Sequence, residues 1–387
     1  MQVPKHILPV IVLAQFCCTS LWFASNGALG GLVDHFNLAA NALASLTSAV
    51  QLGFIVGTLV YAVLTLADRY APGRVFAISA LLGAACNAAM IWDAHSLYSL
   101  LSLRFFTGFF LAGIYPVGMK IAADYYREGL GKSLGFLVGA LVLGTALPHL
   151  LQGLSSQYSF KVVLIAVSGL ALFGGFLLLL TVPDGPYRKA GAGPQMTAFL
   201  QVFKNGEFRA AAFGYFGHMW ELYAFWAFVP VIFQTYLERH PEIGLDISML
   251  SFSVIGIGSF GCILAGFLAR RFGLKQTAFV ALLGSGVCCL LSPFMFATSA
   301  QVFIFFMLIW GLLVIADSPL FSTLVAHGAE PAIKGTALTI VNCVGFAITI
   351  VSIQLLSSLV LQYNPTVVYA ILAVGPAIGL IALKMQS

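Results

Sequence analysis

Twelve apolar stretches recur along the chain, at roughly 7–31, 45–67, 75–93, 97–119, 131–152, 161–182, 209–236, 248–269, 276–297, 301–326, 334–360 and 365–385. A helix needs about 20 mostly apolar residues to cross a bilayer, and these stretches are close to that length. Hydrocarbon offers the backbone no water, so only helices and closed barrels span it. Barrel strands alternate in segments of about ten residues, whereas these runs are continuous, so helices are expected. The sparse charge agrees: only 8% of residues are Asp, Glu, Lys or Arg, against about 25% in a soluble chain. Lys5 precedes a run of spanning length, which therefore reads as a first helix and not as a cleaved signal.

Loops between the stretches are short except for 183–208. That segment holds Pro183-Asp184-Gly185-Pro186 and Gly191-Ala192-Gly193-Pro194, which break helices. From Met196 to Phe208 it turns amphipathic, with Phe199, Leu200 and Phe203 on one side, and predicts a short helix on the membrane surface. The expected domains are a six-helix bundle over 1–182, a cytoplasmic linker over 183–208 and a second six-helix bundle over 209–387. With the N-terminus in the cytoplasm, fifteen of the eighteen lysines and arginines fall on the inner side. Lys161 and Arg239 fall outside, and Arg104 falls within a helix. Positive residues favour the cytoplasmic side, so a bacterial inner membrane with both termini inside is expected.

The halves repeat. Gly108 to Pro116 reads Gly-Phe-Phe-Leu-Ala-Gly-Ile-Tyr-Pro, and Gly311 to Pro319 reads Gly-Leu-Leu-Val-Ile-Ala-Asp-Ser-Pro. The loop Asp68-Arg69-Tyr70-Ala71-Pro72-Gly73-Arg74 has a counterpart in Arg270-Arg271-Phe272-Gly273-Leu274-Lys275. Two loops of similar chemistry on one side, half a chain apart, imply a parallel repeat of six helices. Such repeats mark secondary transporters.

The seventh stretch carries His218 and Glu221 near its middle. A charge at bilayer depth costs about 2.5–3.5 kcal/mol on insertion scales, so an acid that persists there marks a functional site. Three residues apart, the two share a helix face, and Phe225 falls on it as well. A desolvated carboxylate can load and release a proton as its surroundings change, which makes Glu221 the first proton-coupling candidate. His218 can share that proton or bond the substrate. Asp317 precedes Ser318-Pro319, where a helix loses a backbone hydrogen bond, and either couples protons or caps the kink. For each, the competing reading is a satisfied interior group that locks helices together.

Helix number, central link and 6+6 repeat together resemble the major facilitator superfamily over nearly the whole chain. The family's loop motif after helix two is matched by Asp68, Arg69, Gly73 and Arg74, with Leu64 in place of its leading glycine. The second copy keeps Gly266, Arg271, Gly273 and Lys275, with Arg270 in place of the acid. Arg104 and Gly108 match the helix-four motif. The helix-five antiporter motif is partial: Gly135, Gly139 and Gly144 are present, but Thr145 stands where proline belongs. That argues against drug-type antiport. The resemblance implies an all-α membrane fold of twelve transmembrane helices in two pseudo-symmetric bundles, with helices one, four, seven and ten lining the substrate path. It thereby implies Gln15, Trp22, Asn26, Arg104, Tyr115, Tyr223 and Trp310 as substrate-binding candidates. Asp68, Arg69, Arg74, Arg271 and Lys275 become a conformational latch on the inner rim.

The function expected is transport of a small organic solute by alternating access, coupled to protons. An uncoupled exchanger or facilitator that grips organic anions through Arg104 is the alternative. A non-transporting solute sensor is the alternative of another class, and it would carry an added soluble domain. An enzyme is not expected, for no nucleophile–base pair clusters at one membrane face. Neither a Walker-type phosphate loop nor metal-ligand spacing is present, so no ATP, cofactor or metal is expected. The seven cysteines, Cys17, Cys18, Cys86, Cys262, Cys288, Cys289 and Cys343, read as small packing residues. The partners expected are substrate, protons and the lipid bilayer, with no nucleic acid, and the chain is expected to act as a monomer.

Overall fold

A computed structural model describes residues 3–126, 130–155, 159–188, 203–330 and 333–385. By internal packing the chain divides into two units, Met1–Gly193 and Pro194–Ser387. The first contains α1 (Ile7–Thr19), α2 (Ala24–Gly27), α3 (Leu29–Phe36), α4 (Ala42–Val63), α5 (Leu66–Arg69), α6 (Pro72–Ala89), α7 (Leu97–Leu111), α8 (Tyr115–Tyr125), α9 (Leu130–Leu154) and α10 (Lys161–Thr181). The second contains α11 (Gly206–Arg239), α12 (Ile247–Gly256), α13 (Gly258–Phe272), α14 (Leu274–Met295), α15 (Ala300–Ala316), α16 (Ser318–Gly328), α17 (Lys334–Gln362), α18 (Pro365–Val368) and, after a 3-10 turn, α19 (Val374–Lys384).

Several of these pieces are halves of one traverse. Among the described residues, ten continuous or kinked helices are long and apolar enough to cross a membrane. The broken run α1–α3 and the shorter α6 complete twelve, six in each unit. Where the sequence predicts a single first helix over 7–31, the chain breaks at Ser20–Phe23 and then continues to Phe36. The predicted surface helix over 196–208 lies mostly outside the described residues. Its last residues, Gly206 to Phe208, belong instead to α11. The Asn205 carboxamide oxygen caps that helix by accepting from the Glu207 and Phe208 amides, at 2.9 and 3.4 Å, a favoured N-cap arrangement.

The repeat predicted from sequence reappears in the packing within each unit. Gly108 on α7 faces the Val50 carbonyl on α4, and a Cβ there would lie 2.0 Å from that oxygen. Gly311 on α15 faces the Val254 carbonyl on α12, and a Cβ there would also lie 2.0 Å from the oxygen. In membranes helices associate by close van der Waals packing, which small residues permit. The kinks repeat too. α7 gives way to α8 just before Pro116, and α15 to α16 at Asp317, just before Pro319. Each proline takes the N-terminal turn of the new helix, where its missing N–H costs nothing.

Candidate functional site

Within the second unit α11 is the axis of the site. Glu221 and His218 are each only 1% exposed. The Glu221 carboxylate accepts three hydrogen bonds from two neighbouring helices. Oε1 accepts from the Trp310 indole Nε1–H at 2.7 Å and from the Cys289 thiol at 3.2 Å. Oε2 accepts from the Ser285 hydroxyl at 2.9 Å. Ser285 and Cys289 lie four apart on α14 and so share a face. Phe225, one turn beyond Glu221, packs on the Trp310 ring with centroids 4.3 Å apart. An ionised side chain can persist in an apolar interior when donors compensate the water it has lost.

His218 turns toward α15 and α16. Its Nδ1 lies 2.7 Å from Asp317 Oδ1, both side chains being 1% exposed. The approach is close enough for an ion pair but off the line that a hydrogen bond requires. Neither Asp317 oxygen nor His218 Nε2 has a hydrogen-bond partner among the described residues. The Asp317 backbone carbonyl meanwhile accepts from the Leu320 and Phe321 amides, so the residue also starts α16.

The candidates of the first unit form a different kind of arrangement. Arg104, fully buried, donates through Nη1 to the Leu21 carbonyl at 3.1 Å and through Nη2 to the Trp22 carbonyl at 2.5 Å. Those two carbonyls sit in the break of the first traverse, where the helical ladder supplies no amide for them. Arg104 therefore stabilises the break from inside. The Trp22 ring lies against Phe54, with centroids 4.7 Å apart. Asn26 donates to the Thr47 hydroxyl at 3.1 Å. Gln15 is buried with no hydrogen-bond partner for either amide atom among the described residues. Gln51 is in the same condition on α4, on the face that carries Thr47 and Phe54. Tyr115 opens α8 and is half-buried.

In the second unit Tyr223 packs its ring near Trp226 and Phe346, with centroids 5.5 and 5.3 Å away. Trp310, a substrate candidate from sequence, gives its N–H to Glu221. Among the described residues no group of three or more His, Cys, Asp or Glu side chains is placed to hold a metal ion.

Among the inner-rim candidates Asp68 is joined by residues that the sequence did not single out. Asp68 pairs with Lys120 at 3.0 Å, and Lys120 also approaches Asp124 at 3.6 Å. Arg188 pairs with Asp184 and donates to the Asp68 and Tyr70 carbonyls at 3.3 and 2.8 Å. In the second unit Arg271 lies over the Phe272 ring, 5.3 Å from its centroid. Lys120 and Asp124, four apart on α8, were a legible helical pair. Ser285 and Cys289 were legible only as a small-residue stripe on one face of α14.

The sequence matches the family model of the Major Facilitator Superfamily over residues 11–353. Among solved structures the chain is similar to a mutant of the nucleoside transporter NupG, with a TM-score of 0.73 at 16% identity, covering 98% of this chain and 99% of that one. It is also similar to a bacterial homologue of the human lysosomal transporter Spinster. The inward-facing occupied form has a TM-score of 0.71 at 14% identity, covering 98% and 95% of the two chains. The inward-facing unoccupied form has 0.67 at 16% identity, covering 99% and 96%. At these identities the likeness establishes the fold. No curated protein matches the sequence. A family model that runs from the first traverse into the eleventh, on a chain folded as two sets of six helices, establishes that this protein belongs to the Major Facilitator Superfamily and is a membrane transporter, not an enzyme.

Proposed function

We propose that the protein moves a small organic solute across the bacterial inner membrane by alternating access and couples that movement to protons through Glu221, with Asp317 and His218 as the second proton-handling pair. One observation carries the reading. Glu221 lies inside a membrane helix, 1% exposed, with three donors fixed on its two oxygens by α14 and α15. An acid that only locked helices would do as well as a glutamine. A carboxylate held this way changes the relative stability of two conformations each time it gains or loses a proton, which is what coupling requires.

Arg104 supports the coupled reading over the anion-exchanger alternative. Both its terminal nitrogens are engaged by backbone carbonyls, which gives it a structural task, although its buried Nε has no partner among the described residues. Gln15, Gln51 and Asn26 are the polar groups proposed to meet the solute in the first unit. The inner-rim group of Asp68, Lys120 and Arg188 is proposed to favour one conformation, with Arg69 and Arg74 in the same unit, and Arg271 and Lys275 are proposed to act likewise in the second unit.

Flux in proteoliposomes tests the coupling. Glu221→Gln abolishes accumulation driven by a pH gradient while counterflow of solute continues. Accumulation that persists in Glu221→Gln removes Glu221 from the coupling role.

A further inference from the structure

Ser285 sits between two acceptors with one hydrogen to give. Its Oγ is 2.9 Å from Glu221 Oε2 and 3.1 Å from the Leu282 carbonyl, one turn back on its own helix. A hydroxyl carries one donor and two acceptor positions, and its hydrogen rotates freely between partners. The other carboxylate oxygen is surrounded differently. Oε1 faces the Trp310 indole, which can only donate, and the Cys289 thiol. With two donors on its lone pairs, Oε1 has no site left for a proton.

We infer that Glu221 is protonated on Oε2, and that Ser285 is the positioning residue that reverses its hydrogen bond to accept that proton's donor bond. With Glu221 ionised, Ser285 donates to Oε2. When a proton arrives from water on the open side, it bonds to Oε2. The new Oε2–H then donates to Ser285 Oγ, and the serine hydrogen turns to the Leu282 carbonyl. Nothing is lost from Ser285, and the added proton brings one more hydrogen bond: three donors reach the carboxylate in one state, while in the other two reach Oε1, one leaves Oε2 and one reaches Leu282. Both states are thus satisfied without moving a helix. Leaving a buried polar group unpaired in either state would cost about 1–3 kcal/mol, so a site without this hydroxyl would disfavour one state. The other ionisable groups near the carboxylate are Cys288 and Cys289 on α14, Asp317 at the end of α15 and His218 on α11 itself. Among the described residues none of them has a second acceptor placed as Leu282 is placed for Ser285.

This inference rests on the proton-carrying reading of Glu221, and infrared difference spectroscopy on the purified protein in lipid separates the two. A pH step in H2O and in D2O gives the C=O band of a protonated carboxyl. The shift of that band on deuteration reports whether the carboxyl O–H has an acceptor. The expected result is a band lost in Glu221→Gln. In Ser285→Ala the band remains but moves to higher wavenumber with an altered deuteration shift, and Ser285→Thr restores the wild-type shift. Cys289→Ala moves the band without altering its deuteration shift, because it removes a donor from the carbonyl oxygen only. A spectrum from which Glu221→Gln removes no carboxyl component overturns the proton-carrying reading. A band that belongs to Glu221 but keeps its deuteration shift in Ser285→Ala overturns the role of Ser285 and leaves that reading standing. Ser285→Cys, nearly isosteric and a far weaker acceptor, gives the same two outcomes if the alanine variant does not fold.

Discussion

The twin glycine contacts make a sharp quantitative test. In Gly108→Ala the new Cβ would lie 2.0 Å from the Val50 carbonyl oxygen, and in Gly311→Ala the same distance from Val254. Cβ atoms essentially never approach a heavy atom within 3.0 Å, so about 1 Å must be found between α7 and α4, or between α15 and α12. The obstructing atom is backbone and cannot rotate away. Overpacking of this kind costs about 1–3 kcal/mol, offset in part by the roughly 0.5–1 kcal/mol that alanine gains over glycine in a helix. A net loss of about 1–2 kcal/mol in a unit of 193 or 194 residues lowers its Tm by about 2–8 °C. The control is Gly169→Ala on α10, where nothing lies within 4 Å of the added carbon, and which therefore melts at or slightly above the wild type. Thiol-reactive dye fluorescence in detergent reads all three, because Cys17, Cys18, Cys262, Cys288 and Cys289 are buried until unfolding exposes them. The two clashing variants also differ in function. Gly311 adjoins Trp310, so displacing α15 pulls the indole from Glu221 and slows the proposed proton-coupled flux, whereas Gly108→Ala leaves that contact intact. Melting of both variants indistinguishable from Gly169→Ala would refute the glycine-to-carbonyl packing of both pairs.

Three further outcomes are expected. Arg104→Met leaves the Leu21 and Trp22 carbonyls unpaired and destabilises the first unit by about 2–4 kcal/mol, at about 1–2 kcal/mol for each buried acceptor; Arg104→Lys, with a compact ammonium in place of the fork, recovers only part of it in the same melting assay. His218→Ala and Asp317→Ala each leave one buried polar group without its counterpart, at about 1–3 kcal/mol apiece. The double variant is less destabilised than the sum of the two, and additivity would deny the pair. At the far end of the first unit, Asp93 pairs with Lys161 at 2.5 Å and with His35 at 2.9 Å. These partners, Lys161 foremost, hold its carboxyl below the ordinary value of 3.8. A depressed carboxylate stabilises the fold above its unfolded pKa and loses that contribution as pH falls through the folded value. Proteolysis of the loop 90–96 therefore accelerates below about pH 4, and Asp93→Asn removes the acid-side change; an unaltered profile in that variant would count against the cluster.

The twelve traverses and their repeat were legible because hydropathy and glycine–proline spacing are local signals. The break at Asp317 was legible for the same reason, since Ser318-Pro319 cannot continue a hydrogen-bond ladder. The break at Ser20–Phe23 was not, because no proline or glycine marks it. It depends on Arg104, a residue more than eighty positions away whose guanidinium supplies the donors. Glu221 and His218 stood out by the cost of burying them, but that cost does not name their partners. Trp310 looked like a stacking surface for substrate and is a donor to Glu221. Cys289 looked like packing and points its thiol at the same oxygen. Both facts follow from how α11, α14 and α15 turn toward one another, which the spacing within each helix does not fix.

One consequence concerns α16, which lies antiparallel to the start of α11 and is fastened to it at both ends. At its head Asp317 meets His218, and at its tail the Gly328 carbonyl accepts from the Asn205 carboxamide at 3.1 Å. Eleven residues at about 1.5 Å each make a rod of about 16 Å. The lower clasp joins a carboxamide to a backbone carbonyl, while the upper one brings an imidazole against a carboxylate. Opening the upper clasp would leave a rod pinned at its foot, so that a small displacement at Asp317 would become a swing of the whole segment.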